Sequence, residues 1–272
     1  MKVHHLNCAT LCPYAGRLIG SDVGLFDRGR MICHCLVIES SDGLVLVDTG
    51  VGMGAVRDAN RHLGRLFTTF MGGGVESETA LRRIEALGLS PSDVRHIVVT
   101  HLDLDHAGGI PDFPAATVHV HADEHRAAME RRTSNERRRY RTAHWAHGPN
   151  WDLLSAGGDR WLGFESVRAL PGVEPEVLLV PLHGHTRGHC AVAVRSGDRW
   201  LLHCGDAYFW HEEKLIEGAR CPIGLAIFQS AMAVDRKARD HNVERIRELV
   251  RDHSSDVSVF CAHDTHELAA FD

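Results

Sequence analysis

The segment Arg95-His96-Ile97-Val98-Val99-Thr100 reads as a buried strand. It runs without a break into His101-Leu102-Asp103-Leu104-Asp105-His106-Ala107-Gly108-Gly109. Four potential metal ligands thus stand within six residues at the end of an aliphatic run. Strand ends are where α/β proteins place chemistry, and ligands on one turn can converge on a point. Gly108 and Gly109 let backbone pass close beneath such a point. A solvated polar loop is the competing reading. Three further blocks argue against it: His183-Gly184-His185-Thr186-Arg187-Gly188-His189, His203-Cys204-Gly205-Asp206 and Phe260-Cys261-Ala262-His263-Asp264. Histidine is also over-represented, with 21 in 272 residues, and imidazole is the commonest metal ligand. The chain therefore needs a fold that brings several strand ends to one place.

The remaining pattern alternates strands and helices. Residues 31–38 and 43–48 read as strands joined by the turn Ser40-Ser41-Asp42-Gly43. Residues 77–88 read as a helix with Ser77 as cap, a stripe of Leu81, Ile84 and Leu87, and Gly88 as stop. Further strands are expected at 95–100, 117–121, 177–182, 190–195, 199–204 and 257–261. Further helices are expected from Ala122 to about Arg132 and over roughly 230–252, the latter burying Val243, Ile246, Leu249 and Val250. Residues 64–76 and 131–160 fit no regular element. Long irregular segments in compact domains are functional or disordered. No linker divides the chain, so one domain over 1–272 is expected.

Composition narrows the function class. Apolar residues make up 44% and charged residues 24%, the ordinary globular balance. A net charge of −6 argues against a nucleic-acid or anionic-membrane partner. No apolar run approaches the ~18 residues of a membrane span. The start lacks an apolar stretch after Lys2, so no signal peptide is read and a cytoplasmic location is expected. The eight cysteines read as free thiols. Cys8 and Cys12 could make half a zinc site, without a matching pair elsewhere.

The order of these blocks, with Val47-Asp48-Thr49-Gly50 before them, resembles the metallo-β-lactamase-fold hydrolase superfamily. The resemblance runs from about residue 30 to the C-terminus and implies an αββα sandwich. In that fold two mixed β-sheets face each other between helices, with the site at one edge. It places His101, Asp103 and His185 at a first metal position and Asp105, His106 and His263 at a second. Asp206 falls at the bridging carboxylate, and Asp48 at a position that orients the ligand loop. Two divalent ions about 3.5–4 Å apart would hold a bridging hydroxide and polarise a carbonyl or phosphoryl oxygen. Asp105 could both ligate and accept a proton. His119, His121, His183 and His189 read as structural, and His266 as near the metal region.

Position 103 departs from the family's usual histidine. An extra carboxylate weakens stabilisation of the bound hydroxide. It also hardens the first position toward iron or manganese, although zinc is the first expectation. The short tail after His263 and the Gly205-Asp206-Ala207 block match the lactonase-like branch, which includes N-acyl homoserine lactonases. A lactone or simple ester is thus the expected small-molecule substrate, with Tyr208 as a candidate oxyanion donor. Seven arginines at 126, 131, 132, 137, 138, 139 and 141 read as a solvated helix face or as a rim for an anionic substrate. Trp145, Trp151 and Trp161 could wall an apolar pocket. A phosphodiesterase, a β-lactamase-type hydrolase and an iron-dependent oxygenase stay open, as does a homodimer.

Overall fold

Strands with both faces covered need apolar side chains on both sides, and the central strands supply continuous apolar runs such as Leu44-Val45-Leu46-Val47. The computed structural model describes residues 2–155, 157–174 and 176–271. Among these, β1 (Val3–Leu11), β2 (Met31–Ser40), β3 (Gly43–Val47), β4 (Val94–Val98), β5 (Thr117–His121) and β6 (Asn150–Leu154) form one sheet in that order. A second sheet is built from β7 (Asp159–Trp161), β8 (Phe164–Ala169), β9 (Val177–Pro181), β10 (Cys190–Ser196), β11 (Arg199–His203) and β12 (Val257–Phe260). Its order is β12-β11-β10-β9-β8-β7. Both sheets are mixed: β3, β4, β5 and β6 pair in parallel, as do β11 and β12, while the other pairs are antiparallel.

Successive side chains on a strand point to opposite faces. Leu36 and Ile38 of β2 and Val45 and Val47 of β3 therefore meet Val192 and Val194 of β10 between the sheets. Their neighbours Leu44 and Leu46 face outward against Ile84 of the helix Ala80–Ala86 and Ala127 and Ala128 of the helix Ala122–Glu130. Ala191 and Ala193 face Val243, Ile246 and Leu249 of the helix Arg236–His253 on the other outer side. This is the expected αββα sandwich. No helix among the described residues is long and apolar enough to cross a membrane.

Local chemistry moved several boundaries. Thr79, not Ser77, caps the helix Ala80–Ala86 by accepting the Arg82 N–H. The helix expected over 230–252 is two helices, Ile223–Met232 and Arg236–His253. Asp235 ends the continuity because its side chain accepts the Ala238 N–H as a cap. Residues 64–76 contain the helix Arg65–Met71. Within 131–160 lie β6 and the helix Ser134–Arg139, which carries a capping box between Thr133 and Glu136. The first strand, β1, escapes a period-two reading because its register shifts between Asn7 and Thr10.

Leu36 is wholly buried between the sheets. Leu36→Ala should destabilise the protein by about 2–5 kcal/mol, through lost burial and the cavity left behind. Equilibrium urea unfolding checks this, and a loss below ~1 kcal/mol would show that the inter-sheet core collapses around the gap.

Candidate metal centre

Asp48, just past the end of β3, organises the first ligand loop. Its Oδ1 accepts the Thr100 N–H at 2.7 Å, and its Oδ2 accepts the Thr100 hydroxyl at 2.8 Å. The same oxygen accepts the His106 Nδ1 proton at 2.8 Å. Asp48 adopts a left-handed φ of 54°, unusual for a residue with a side chain, and these bonds hold it there. His101 donates from Nδ1 to Thr100 Oγ1 at 2.9 Å, and His263 donates from Nδ1 to the Ile32 carbonyl at 2.7 Å. Three rings are thus fixed through Nδ1 with Nε2 turned inward, the usual way that outer groups orient ligating histidines.

Two buried residues tie the other loops in. Glu124 is completely buried; its Oε1 accepts the Leu102 N–H at 2.9 Å and its Oε2 the Gly188 N–H at 3.0 Å. A Cβ at Gly188 would lie 2.2 Å from the Glu124 nitrogen, so only glycine fits. His189 donates from Nδ1 to the Leu182 carbonyl at 2.9 Å and accepts the Asp206 N–H at Nε2 at 3.0 Å. That contact places Asp206.

Six of the seven candidate ligands meet in two groups that share Asp206, and Asp105 joins them through His263. Around Oδ2 of Asp206 lie His185 Nε2 at 3.3 Å and His101 Nε2 at 3.8 Å. Asp103 Oδ2 completes this group, 3.1 Å from His185 Nε2 and 3.4 Å from His101 Nε2. Around Oδ1 of Asp206 lie His106 Nε2 and His263 Nε2, both at 3.1 Å. Asp105 Oδ2 stands 3.8 Å from His263 Nε2. His101 Nε2, His106 Nε2 and Asp206 Oδ1 are buried without a hydrogen-bond partner. Buried polar atoms are normally satisfied, so imidazole and carboxylate atoms converging without hydrogen bonds fit bound metal cations. Cys33, one of the eight cysteines read as free thiols, also falls beside Asp105 and His263.

The field of the cluster follows from burial and opposite charges. Burial pushes Asp206 up, but His263, His106 and His185 together hold it well below the usual carboxylate range. For Asp103, burial is likewise overcome, first by Arg139 and then by His101. Burial pulls His106 down, yet Asp206 and Asp48 raise it well above the usual histidine range, and Asp206 raises His263.

Several expectations change here. The Tyr208 hydroxyl donates to Glu267 at 3.0 Å inside the second outer core, so it is turned away from the cluster. Phe209 faces the cavity instead. Of the seven arginines, Arg126 and Arg132 pair with Asp123 and Glu130 at the surface. Arg139 is buried, 3.1 Å from Asp103. Trp145 packs in the first outer core, Trp151 packs against it, and Trp161 packs on Trp200. His119 bonds to Asp152, and His121 caps the helix Ala122–Glu130. His266 stacks on His211 and gathers with it and Asp264 in a separate group, apart from the cluster around Asp206. Glu124, Arg139 and Cys33 are the residues that sequence reading missed, since each acts across elements far apart in the chain.

Sandwich and ligand set together define a family. The metallo-beta-lactamase superfamily model matches residues 28–245, and the chain belongs to that superfamily. A protein of Mycobacterium tuberculosis named as a probable metallo-hydrolase is 44% identical over 264 residues, 97% of this chain and 80% of the relative. An N-acyl homoserine lactonase of Bacillus cereus is 26% identical over 241 residues, 86% of this chain and 81% of the relative. Among solved structures, a Bacillus thuringiensis protein with N-decanoyl-L-homoserine at its active site matches with a TM-score of 0.72 at 19% identity. That match covers 99% of this chain and 95% of the other, and at such identity it speaks for the fold.

Two outcomes are expected. Burial lowers His106 and His263 but Asp206 raises both on balance, so protons compete with a cation for these rings. Metal binding should release protons near pH 7, and affinity should rise with pH. Titration calorimetry in buffers of different ionisation enthalpy reads this directly, and a buffer-independent enthalpy would contradict it. Tyr208→Phe should leave turnover unchanged but lower stability by about 1–3 kcal/mol, because it strips a donor from a buried carboxylate.

Proposed function

We propose that the chain hydrolyses a lactone or other carboxylic ester that carries an apolar acyl group. The observation that carries this reading is the cavity above the ligand cluster. Its floor is Asp103, Asp105, His185, Asp206 and His263. Apolar side chains from several elements form its walls, including Leu11 of β1, Phe67 and Met71 of the helix Arg65–Met71, and Phe228 and Met232 of the helix Ile223–Met232. It encloses about 580 Å³ including its open mouth. The lactonase relatives are consistent with such a substrate.

Two bound divalent ions, with zinc proposed, would supply a polarised carbonyl and an activated water. His101, Asp103 and His185 would hold one ion and Asp105, His106 and His263 the other, with Asp206 between them. Asp105 lines the cavity. With one oxygen toward His263, its other oxygen can take the proton of the attacking water and return it to the leaving alkoxide. The apolar walls exclude bulk water from that exchange. A phosphodiester reading is less well supported. The lining contains one guanidinium, Arg139, and Asp103 already engages it.

His101→Ala or His263→Ala should lower metal content and reduce ester hydrolysis by at least about 100-fold, since a first ligand is lost. The check is a panel of lactones, thioesters, β-lactams and phosphodiesters with protein of measured metal content. Cleavage of phosphodiesters alone would refute the ester reading.

A further inference from the structure

Asp103 divides its two oxygens. Oδ2 faces His185 and His101, while Oδ1 lies 3.1 Å from Arg139 Nε. Arg139 sits at the end of the helix Ser134–Arg139 and is only 3% exposed. One terminal nitrogen donates to the His185 carbonyl at 2.8 Å, and the other to the Met232 carbonyl at 2.7 Å. The guanidinium therefore touches the first ligand group, the loop that carries His185 and the helix that walls the cavity. Among the described residues, Asp103 is its one ion-pair partner within 4.0 Å.

Burying a guanidinium without a carboxylate is strongly unfavourable, and so is the reverse. The pair as a unit carries no net charge, as a neutral histidine would. We infer that Arg139 is the counter-ion that sets the charge of the first metal position: it makes Asp103 the electrostatic equivalent of a neutral ligand and points one chosen oxygen at the ion. Arg139 is a positioning residue, acting through Asp103. This rests on the two-ion reading above. Arg139 offsets the extra negative charge of the carboxylate, while the donor atom remains a hard oxygen.

The test is a cycle of four proteins: the unaltered chain, Asp103→His, Arg139→Gln and the double variant. Zinc affinity is measured by competition with a chromophoric chelator, and stoichiometry by elemental analysis. Asp103→His leaves a buried guanidinium facing the ion, and its first-position affinity should fall about tenfold or more. Adding Arg139→Gln should restore it to near the unaltered value, and Arg139→Gln alone should bind zinc more tightly than the unaltered chain. A merely structural Arg139 would give the opposite sign, with weaker binding in both backgrounds. Metal-free melting supplies a second readout: Asp103→His should lower the Tm by roughly 5–10 °C, and the double variant should recover most of it. Asp103→His binding zinc as tightly as the unaltered chain, or a double variant no better than it, overturns the inference. If Asp103→His does not fold, weaker zinc binding by Arg139→Gln alone overturns it. An unaltered chain that binds no zinc overturns the two-ion reading and the charge-setting role with it. The melting cycle would then still report whether the two side chains are paired.

Discussion

Three carboxylates cannot lie side by side in a dry interior without positive charge among them. Asp103, Asp105 and Asp206 do lie so, and Asp103 and Asp206 are almost wholly buried. Everything near them answers that constraint. Four imidazoles turn Nε2 inward, Arg139 stands against Asp103, and His101 Nε2, His106 Nε2 and Asp206 Oδ1 are left without hydrogen-bond partners, as atoms that cations would take. Metal binding and proton occupancy are thus opposing ways of balancing one charge cluster.

Such a cluster needs a rigid surround, because charged ligands would otherwise spread toward water. The surround is a set of single residues that each fix two or more segments. Asp48 joins the end of β3 to the loop after β4. Glu124, at the start of a helix, holds that loop and the Gly188 turn together. His189 orients Asp206. These bonds are buried, where hydrogen bonds to charged groups are strongest and their loss is most harmful.

The cavity above the cluster is built from different material. Much of its wall comes from helices that the sandwich does not require, with Phe67, Met71, Phe228 and Met232 lining it beside Leu11 of β1. Arg139 links the two layers, since it contacts both Asp103 and the Met232 carbonyl. A change in the walls can therefore reach the ligands without touching them.

The converging donors were readable from the chain, because metal chemistry restricts residue types and because His101, Asp103, Asp105 and His106 lie on one short loop. The strands 43–48 and 190–195 were readable too, since burial on both faces leaves a continuous apolar run, but which residues face between the sheets was decided by the fold. Roles that depend on partners distant in sequence were not. Tyr208 stands two residues from Asp206, yet a strand-end turn sends it to Glu267 and presents Phe209 instead. Arg139 is one arginine among seven in a short stretch, and only the packing of its helix against the ligand loop buries it. Glu124 is one of many acidic residues until the fold brings two loop amides to its oxygens. Sequence determined which donors exist and the strand ends they occupy, because spacing along the chain is covalent. Tertiary structure alone decided which side chains face them and what charge each donor carries, because those depend on contacts that no local pattern encodes.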